Sequence, residues 1–235
     1  MRNVFLILGY GIPKNILKDE NYNFYLKTVF NKIYDLVTKN KAKSPVIICS
    51  GGRTDMFKPY KRSEAGEMVK LLEKLSKRLF LKEITKDWSF VLGKNPLSTL
   101  ENLLNCQKII QKRKIRKSNL YIFCEQTREK RIKILAKKIL NKNHNFKVIP
   151  IDFDISSNRY ISLEFLAKKE KAELNHSLWA LQNPENLKKH HKLFKERITF
   201  LRKAGPKVHT KAVKEWWKKK LKELETKSPN VNVNK

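Results

Sequence analysis

Short apolar runs alternate with longer amphipathic stretches over the first two thirds of the chain. Apolar runs that end at a glycine or a polar residue are typical of buried strands, and apolar positions recurring every three to four residues are typical of helices. The runs predict strands over residues 3–8, 45–49, 120–124 and 146–151, with a short, weak strand around Ile84. The helical spacing predicts helices over residues 22–39, 64–78, 99–113 and 126–140.

Strands that alternate with helices of this length form βαβ units, in which the strands pair in parallel. We therefore predict an α/β fold, a Rossmann-like three-layer α/β/α domain with a mostly parallel sheet, over residues 1–157. After Asp154 only helical spacing remains, interrupted at Pro184 and at Gly205-Pro206. A basic all-helical extension with a frayed tail is predicted over residues 158–235. Its helices are expected at residues 161–182, 184–203 and 207–226.

The composition adds a strong positive charge to this picture. The 235 residues include 53 lysines and arginines against 22 acidic residues, a formal net charge of +31, and the 40% apolar share suffices for a core. Basic residues concentrate between Lys108 and Lys147 and in the last helix. Lysine is far commoner than arginine, the better bidentate reader of phosphates and bases. No apolar run is long enough for a transmembrane helix or a signal peptide, so a soluble cytoplasmic protein is expected.

The cysteines and histidines make several kinds of site unexpected. Three irregularly spaced cysteines predict buried, reduced thiols rather than disulfides or a zinc site. All five histidines lie at or after His144, outside the main strand-end loops, so neither a histidine-based triad nor a metal site is expected there. His190 and His191 are predicted to be solvated, because adjacent helix residues point apart.

The loops that follow the predicted strands carry the candidate chemistry, because ligands of open parallel sheets bind outside the carboxyl ends of the strands. Four of the seven glycines lie in two of these loops, where backbone N–H groups and helix N-termini favour an anion. Each feature also has a structural interpretation, as a turn, a helix cap or a solvated side chain. The polar candidates are Arg53, Arg128, Arg131, Asp55, Glu64, Glu101, Glu125, Ser50, Ser63, Thr99 and Asn102.

Several motifs, taken in order, resemble those of a known family. The first strand ends in Gly9-Tyr10-Gly11 and the second in Ser50-Gly51-Gly52. Ser63-Glu64-Ala65 and Ser98-Thr99-Leu100-Glu101-Asn102 follow, and a later helix carries Arg131. This order, over about residues 3–152, resembles the bacterial domain-of-unknown-function family typified by YdcF, SanA and ElyC. Since no membrane anchor is expected, the chain is most similar to the soluble YdcF type.

The resemblance implies a Rossmann-like domain with a polar pocket, whose reaction is not settled for the family. It also implies S-adenosylmethionine as a candidate cofactor, because a YdcF-type member is associated with its binding. The chain departs from the family at Gly93, where an acid is usual, and at Arg128, where a histidine is frequent. Arg128 instead favours anion binding. The matching pocket positions are Gly9, Gly11, Ser50, Gly51, Gly52, Glu64, Thr99, Glu101, Asn102 and Arg131.

Two main functional hypotheses follow. In the first, the pocket binds a nucleotide-like or phosphorylated small molecule. Arg128 and Arg131 neutralise its charge, and Glu64 or Glu101 acts as a general base or orients a hydroxyl. In the second, the chain binds nucleic acid or an anionic surface through residues 211–222, where two tryptophans lie among six lysines. A third, weaker hypothesis is that the C-terminal helices bind another protein.

Overall fold

The computed structural model describes residues 1–39, 44–152 and 162–227, and in these ranges five strands form one sheet. All four strand pairings are parallel, and the strand order is β3-β2-β1-β4-β5. Strand β1 lies at the centre: Leu6 pairs with Ile48 on one side and with Ile122 on the other. The strands are β1 (Arg2–Leu8), β2 (Val46–Ser50), β3 (Ser89–Gly93), β4 (Ser118–Glu125) and β5 (His144–Ile151).

Helices cover both faces of the sheet and confirm the predicted α/β class. The first two long helices pack against each other, and so do the fourth and fifth, which gives the three layers of a Rossmann-like fold. The helices of this unit are α1 (Glu20–Lys39), α2 (Glu64–Ser76), α3 (Lys82–Thr85), α4 (Thr99–Lys112) and α5 (Glu129–Ile139). A 3₁₀ turn, Gln126–Arg128, precedes α5.

The apolar runs of the sequence form the core because a parallel sheet is buried on both faces. Residues 4–7 of β1 are fully buried, and the apolar stripes of α1 and α2 cover one face of the sheet. All three cysteines are buried and none forms a disulfide, as predicted. Burial raises the pKa of Cys106 and of Cys124 to about 12, so both are neutral thiols.

The predicted strand around Ile84 is wrong. Residues 82–85 form the short helix α3, in which Thr85 Oγ1 donates to the carbonyl oxygens of Ser76 and Leu81. The strand begins four residues later, at Ser89, and lies at an edge of the sheet. Its side chains are mostly half-buried, and its apolar run, Phe90-Val91-Leu92, is shorter than the runs of the central strands.

The chain divides into two compact units, Met1–Phe153 and Asp154–Lys235. The boundary predicted near residue 157 and the predicted frayed tail lie outside the described residues. The second unit contains helices α6 (Leu163–Ala180), α7 (Pro184–Ala204) and α8 (His209–Lys227), as the periodicity predicts. Among the described helices, none is both long and apolar enough to cross a membrane.

The prediction that His190 is solvated is wrong, although His191 is exposed. His190 is only 1% exposed, and its ring stacks on His176 with a centroid distance of 4.9 Å. The reason is helical spacing: His190 shares the buried stripe of α7 with Phe194, Ile198 and Leu201. Burial lowers the pKa of the neighbouring His176 to about 4.

Candidate functional site

The order in which strands are added to the sheet reverses between β1 and β4, and in open α/β sheets the ligand-binding crevice at the carboxyl edge lies at such a reversal. The chain moves from β1 outward to β2 and β3, then returns to place β4 on the other side of β1. The loop after β1 and the loop after β4 therefore diverge to opposite faces of the sheet. Ligands of open α/β sheets bind at this kind of switch point.

Arg128 lies across this crevice. It belongs to the 3₁₀ turn after β4, and its Nη1 donates to the carbonyl oxygen of Gly9, after β1, at 3.1 Å. The centre of its guanidinium group lies 4.7 Å from the ring centroid of Tyr10, which is 43% exposed. These two contacts fix a cation next to an exposed aromatic ring at the mouth of the crevice.

Tyr22 of α1 holds the loop after β1 in place. Its hydroxyl accepts from the Tyr10 N–H at 2.7 Å and donates to the Gly11 carbonyl oxygen at 2.5 Å. Gly11 has φ +99°, a conformation that L side chains rarely adopt, so a glycine is required there. Burial and the nearby charge of Glu64 raise the pKa of Tyr22, which keeps the hydroxyl protonated as a donor.

Glu64 occupies the space between the ends of β1 and β2. It is the first residue of α2 and is 8% exposed, and its Oε1 accepts from Thr54 Oγ1 at 2.6 Å. A Cβ atom added to Gly9 would lie 2.0 Å from Glu64 Oε2, and one added to Gly51 would lie 2.5 Å from it. Both loops therefore need glycine at these positions, because the carboxylate lies against their backbone. The helix N-terminus favours its negative charge.

A second carboxylate, Asp55, links the loops after β1 and β2 through Arg62. Arg62 donates to both oxygens of Asp55, at 2.8 and 3.0 Å, and to the carbonyl oxygens of Pro13 and Lys14, at 3.1 Å each. Burial by itself raises the pKa of Asp55, but hydrogen bonds from Arg62 and Phe57 and the charge of Arg62 leave it below its usual value. The Asp55–Arg62 pair therefore holds the loops after β1 and β2 in fixed positions relative to each other.

Several predicted site residues make internal structural contacts. Ser50 Oγ lies 2.8 Å from Asn102 Oδ1, both residues are buried, and the bond connects the end of β2 to α4. Glu101 Oε2 accepts from the Leu97 N–H at 2.8 Å, next to the start of α4. Glu101 therefore stabilises a helix N-terminus in this structure.

The other predicted site residues include a helix cap, two buried residues and one exposed residue. Ser63 caps α2 by accepting from the Gly66 N–H at 3.1 Å, and Thr99 is buried as the first residue of α4. Arg131 is 3% exposed on the inward face of α5, whereas Arg53 is exposed in the loop after β2. The structure thus brings together the two glycine loops, Glu64 and Arg128 as a continuous group.

Sequence reasoning missed three residues that shape this edge. Tyr22 matched the apolar spacing of α1, so only its ring was interpreted and its hydroxyl was not. Thr54 and Arg62 lay in a loop whose course the sequence does not determine. The sequence did contain a partial indication of the Asp55–Arg62 ion pair, since these two residues of opposite charge lie near the two ends of that loop.

No group of three histidines, cysteines or acids in the described ranges is arranged to hold a metal ion. No protein-family model matches the chain, and no curated protein or solved structure is significantly similar to it. The resemblance to the YdcF family therefore stays a prediction, and the chemistry of the edge is inferred from its own residues.

The hypothesis that residues 211–222 bind nucleic acid or an anionic surface relied partly on two tryptophan rings. Trp216 and Trp217 of α8 are 8% and 2% exposed, so neither ring is available for stacking on bases. Trp216 packs 5.5 Å from Phe200, and Arg197 lies 6.0 Å from the ring of Trp217. The tryptophans form part of the core of the helical unit, and only the lysines of this helix remain as a basic feature.

Proposed function

We propose that the α/β unit binds a nucleotide-like or phosphorylated small molecule in the crevice between β1 and β4. The observation that carries this proposal is the position of Arg128, which brings a guanidinium group from the β4 side onto the Gly9 loop at 3.1 Å. A planar guanidinium is suited to bidentate pairing with a phosphate or carboxylate. The exposed ring of Tyr10 beside it offers a face for a flat heterocycle.

Glu64 is the carboxylate that we assign to ligand chemistry at this edge, in preference to Glu101. Glu101 accepts from the backbone at the start of α4, whereas Glu64 lies between the two glycine loops. Thr54 engages one of its oxygens and so orients the group. In the proposal, Glu64 accepts a hydrogen bond from a ligand hydroxyl, or its proton if the bound molecule reacts.

S-adenosylmethionine is the first ligand to test, because the resemblance to the YdcF type implies it. Its carboxylate suits Arg128, its adenine suits the face of Tyr10, and its ribose hydroxyls suit Glu64. Phosphorylated ligands also carry an anionic group and would use the same arginine. Arg131, which was predicted to contact the ligand, is 3% exposed on α5, and the proposal assigns it no ligand contact.

The test is calorimetric titration of S-adenosylmethionine, adenosine monophosphate and inorganic phosphate into the intact chain at moderate salt. Arg128→Gln removes the cation and keeps a polar side chain. Arg116→Gln is the matched control, because this exposed arginine lies before β4, at the opposite edge of the sheet. Loss of a charged hydrogen bond in Arg128→Gln should raise Kd at least about tenfold for a ligand that binds, and the control should leave it unchanged.

Two results would overturn the proposal. If none of the three ligands binds the intact chain, the inferred ligand class is wrong. If one binds and Arg128→Gln leaves its Kd within about twofold of the original, the crevice is not where the anion is held.

A further inference from the structure

Two large apolar side chains project from the turn between α2 and α3. Leu79 is 81% exposed and Phe80 is 89% exposed, and they are adjacent in the chain. The turn is ordered by the Leu81 N–H, which donates to the Arg78 carbonyl oxygen at 2.9 Å, so the exposure belongs to a defined structure. Two adjacent, almost fully exposed large apolar side chains form a candidate contact surface for a partner.

Cations surround this apolar tip. Lys77, Arg78 and Lys82 flank it and are all exposed, and the nearest acids along the chain are Glu73 and Glu83, of which Glu83 pairs with Lys86 at 3.0 Å. A neutral protein groove would not need these charges, and burying them against one would be unfavourable. An anionic partner that also accepts apolar side chains satisfies both features.

The tip lies at the amino edge of the sheet, opposite the candidate ligand site. Helix α2 starts after β2 at the carboxyl edge, and the chain enters β3 at Ser89 from the other edge. Arg113, which follows α4, donates from Nη1 to Ser89 Oγ at 3.3 Å, and the Ser89 N–H donates to the Pro45 carbonyl oxygen at 3.1 Å. The loop before β4 therefore meets the start of β3 at this edge.

The other loops of the amino edge are basic as well. Residues 102–124, which run through α4 into β4, contain six lysines and arginines and no acid. Residues 137–143, which end α5 and lead into β5, contain three lysines and no acid. Adjacent strands are about 4.8 Å apart, so five strands make this basic edge roughly 20 Å wide.

We propose that the amino edge of the sheet docks on an anionic lipid bilayer, with Leu79 and Phe80 inserted between the headgroups and the lysines paired with lipid phosphates and carboxylates. Basic clusters next to apolar tips bind such interfaces through charge and apolar burial together. RNA would account for the charge and for a stacking Phe80, but a leucine side chain offers no face for stacking. Docking in this way leaves the crevice between β1 and β4 open on the opposite edge.

The experiment is flotation of the intact chain with vesicles of phosphatidylcholine alone or with about 30% phosphatidylserine. Two variants remove the two features: Leu79→Ser with Phe80→Ser, and Lys112→Gln with Arg116→Gln and Lys117→Gln. All five side chains are exposed, so the fold is kept, and circular dichroism checks this. The control replaces three exposed lysines of α7 with glutamine, Lys188, Lys189 and Lys192.

The intact chain should float with the anionic vesicles and stay behind with the neutral ones. Each removed cation should reduce the partition coefficient about fivefold, so the triple variant should lose about 100-fold. The serine variant should lose at least about 30-fold, because two large apolar side chains no longer enter the bilayer. Raising the salt concentration to 1 M, where the screening length is about 3 Å, should release the intact chain.

Three outcomes would overturn the proposal. Equal flotation with neutral and anionic vesicles would show that charge has no role. A loss of flotation in the α7 control as large as that in the Lys112, Arg116 and Lys117 variant would show that the position of the lysines does not matter. Binding of a short RNA that is unchanged in the serine variant, with no flotation at all, would assign the basic edge to nucleic acid instead.

Discussion

Replacing Gly9 with alanine tests whether the Glu64 carboxylate fills the space between β1 and β2. The new Cβ would lie 2.0 Å from Glu64 Oε2 and 2.8 Å from Glu64 Cβ, so the side chain has to move. Its movement breaks the 2.6 Å hydrogen bond from Thr54. Overpacking costs about 1–3 kcal/mol, and a hydrogen bond to a charged group contributes about 1.5–3 kcal/mol. We expect Gly9→Ala to destabilise the α/β unit by about 2.5–6 kcal/mol.

The same clash predicts that a second substitution relieves the first. Glu64→Ala removes the carboxylate, and only the contact between two Cβ atoms remains, which a small shift of α2 relaxes. The double variant should therefore be more stable than the sum of the single effects by at least about 1 kcal/mol. Gly11→Ala is the matched control. Its φ of +99° makes it costly by about 1–2 kcal/mol, but no atom lies within 4 Å of its added Cβ.

Amide hydrogen exchange of the intact chain measures the free energy of unfolding of the α/β unit for each variant. Amides of β1 and β2 report the unfolding of the α/β unit, independently of the helical unit. Additivity of Gly9→Ala and Glu64→Ala to within about 0.5 kcal/mol would refute the inferred contact. So would a coupling between Gly11→Ala and Glu64→Ala as large as that of the Gly9 pair.

Three further predictions rest on buried groups. Arg62→Ala should reduce the unfolding free energy by about 3 kcal/mol, because it leaves the Asp55 carboxylate buried without its cation. Denaturant unfolding measures this change, and a reduction of less than about 0.5 kcal/mol would contradict the prediction. The pKa of His176 is about 4 in the folded chain and near 6.5 when unfolded, so the unfolded chain binds the extra proton between these values and stability falls as pH drops through that window. Lowering the pH from 7.5 to 5 should destabilise the helical unit by about 2 kcal/mol through His176, followed by tryptophan fluorescence. His176→Phe should reduce that dependence to the part contributed by His209, whose pKa burial also lowers. Buried neutral thiols at Cys106 and Cys124 should resist iodoacetamide at pH 8 in the native chain and react fully in denaturant, and rapid native labelling seen by mass spectrometry would show that they are accessible.

The order of elements in the α/β unit could be read from the sequence because burial on both faces of a parallel sheet demands apolar runs. The central strands β1, β2 and β4 have such runs and were predicted to within about two residues at each end. The edge strand β3 has only the short apolar run Phe90-Val91-Leu92, since a half-exposed strand needs fewer apolar side chains, and the strand was misplaced onto Ile84. His190 was misjudged because a polar ring was not expected on the buried stripe of α7.

The composition of the candidate site could also be predicted in part. The rule that ligands bind at the carboxyl ends of parallel strands selected both glycine loops, Glu64 and Arg128 from the sequence alone. The rule could not separate Glu64 from Glu101, because both stand in the first turn of a helix that follows a strand. Their different contacts, one against two glycine loops and the other on a backbone N–H, depend on how loops fold back.

The sequence by itself determined the class of fold, the separate helical segment and the edge of the sheet that carries polar groups. These follow from local periodicity and from the chirality of βαβ connections, which act within neighbouring elements. Only the tertiary structure decided that Arg128 meets Gly9, 119 residues away, and that Leu79 and Phe80 remain uncovered. Such contacts and exposures are set by the packing of distant segments, and no local pattern encodes them.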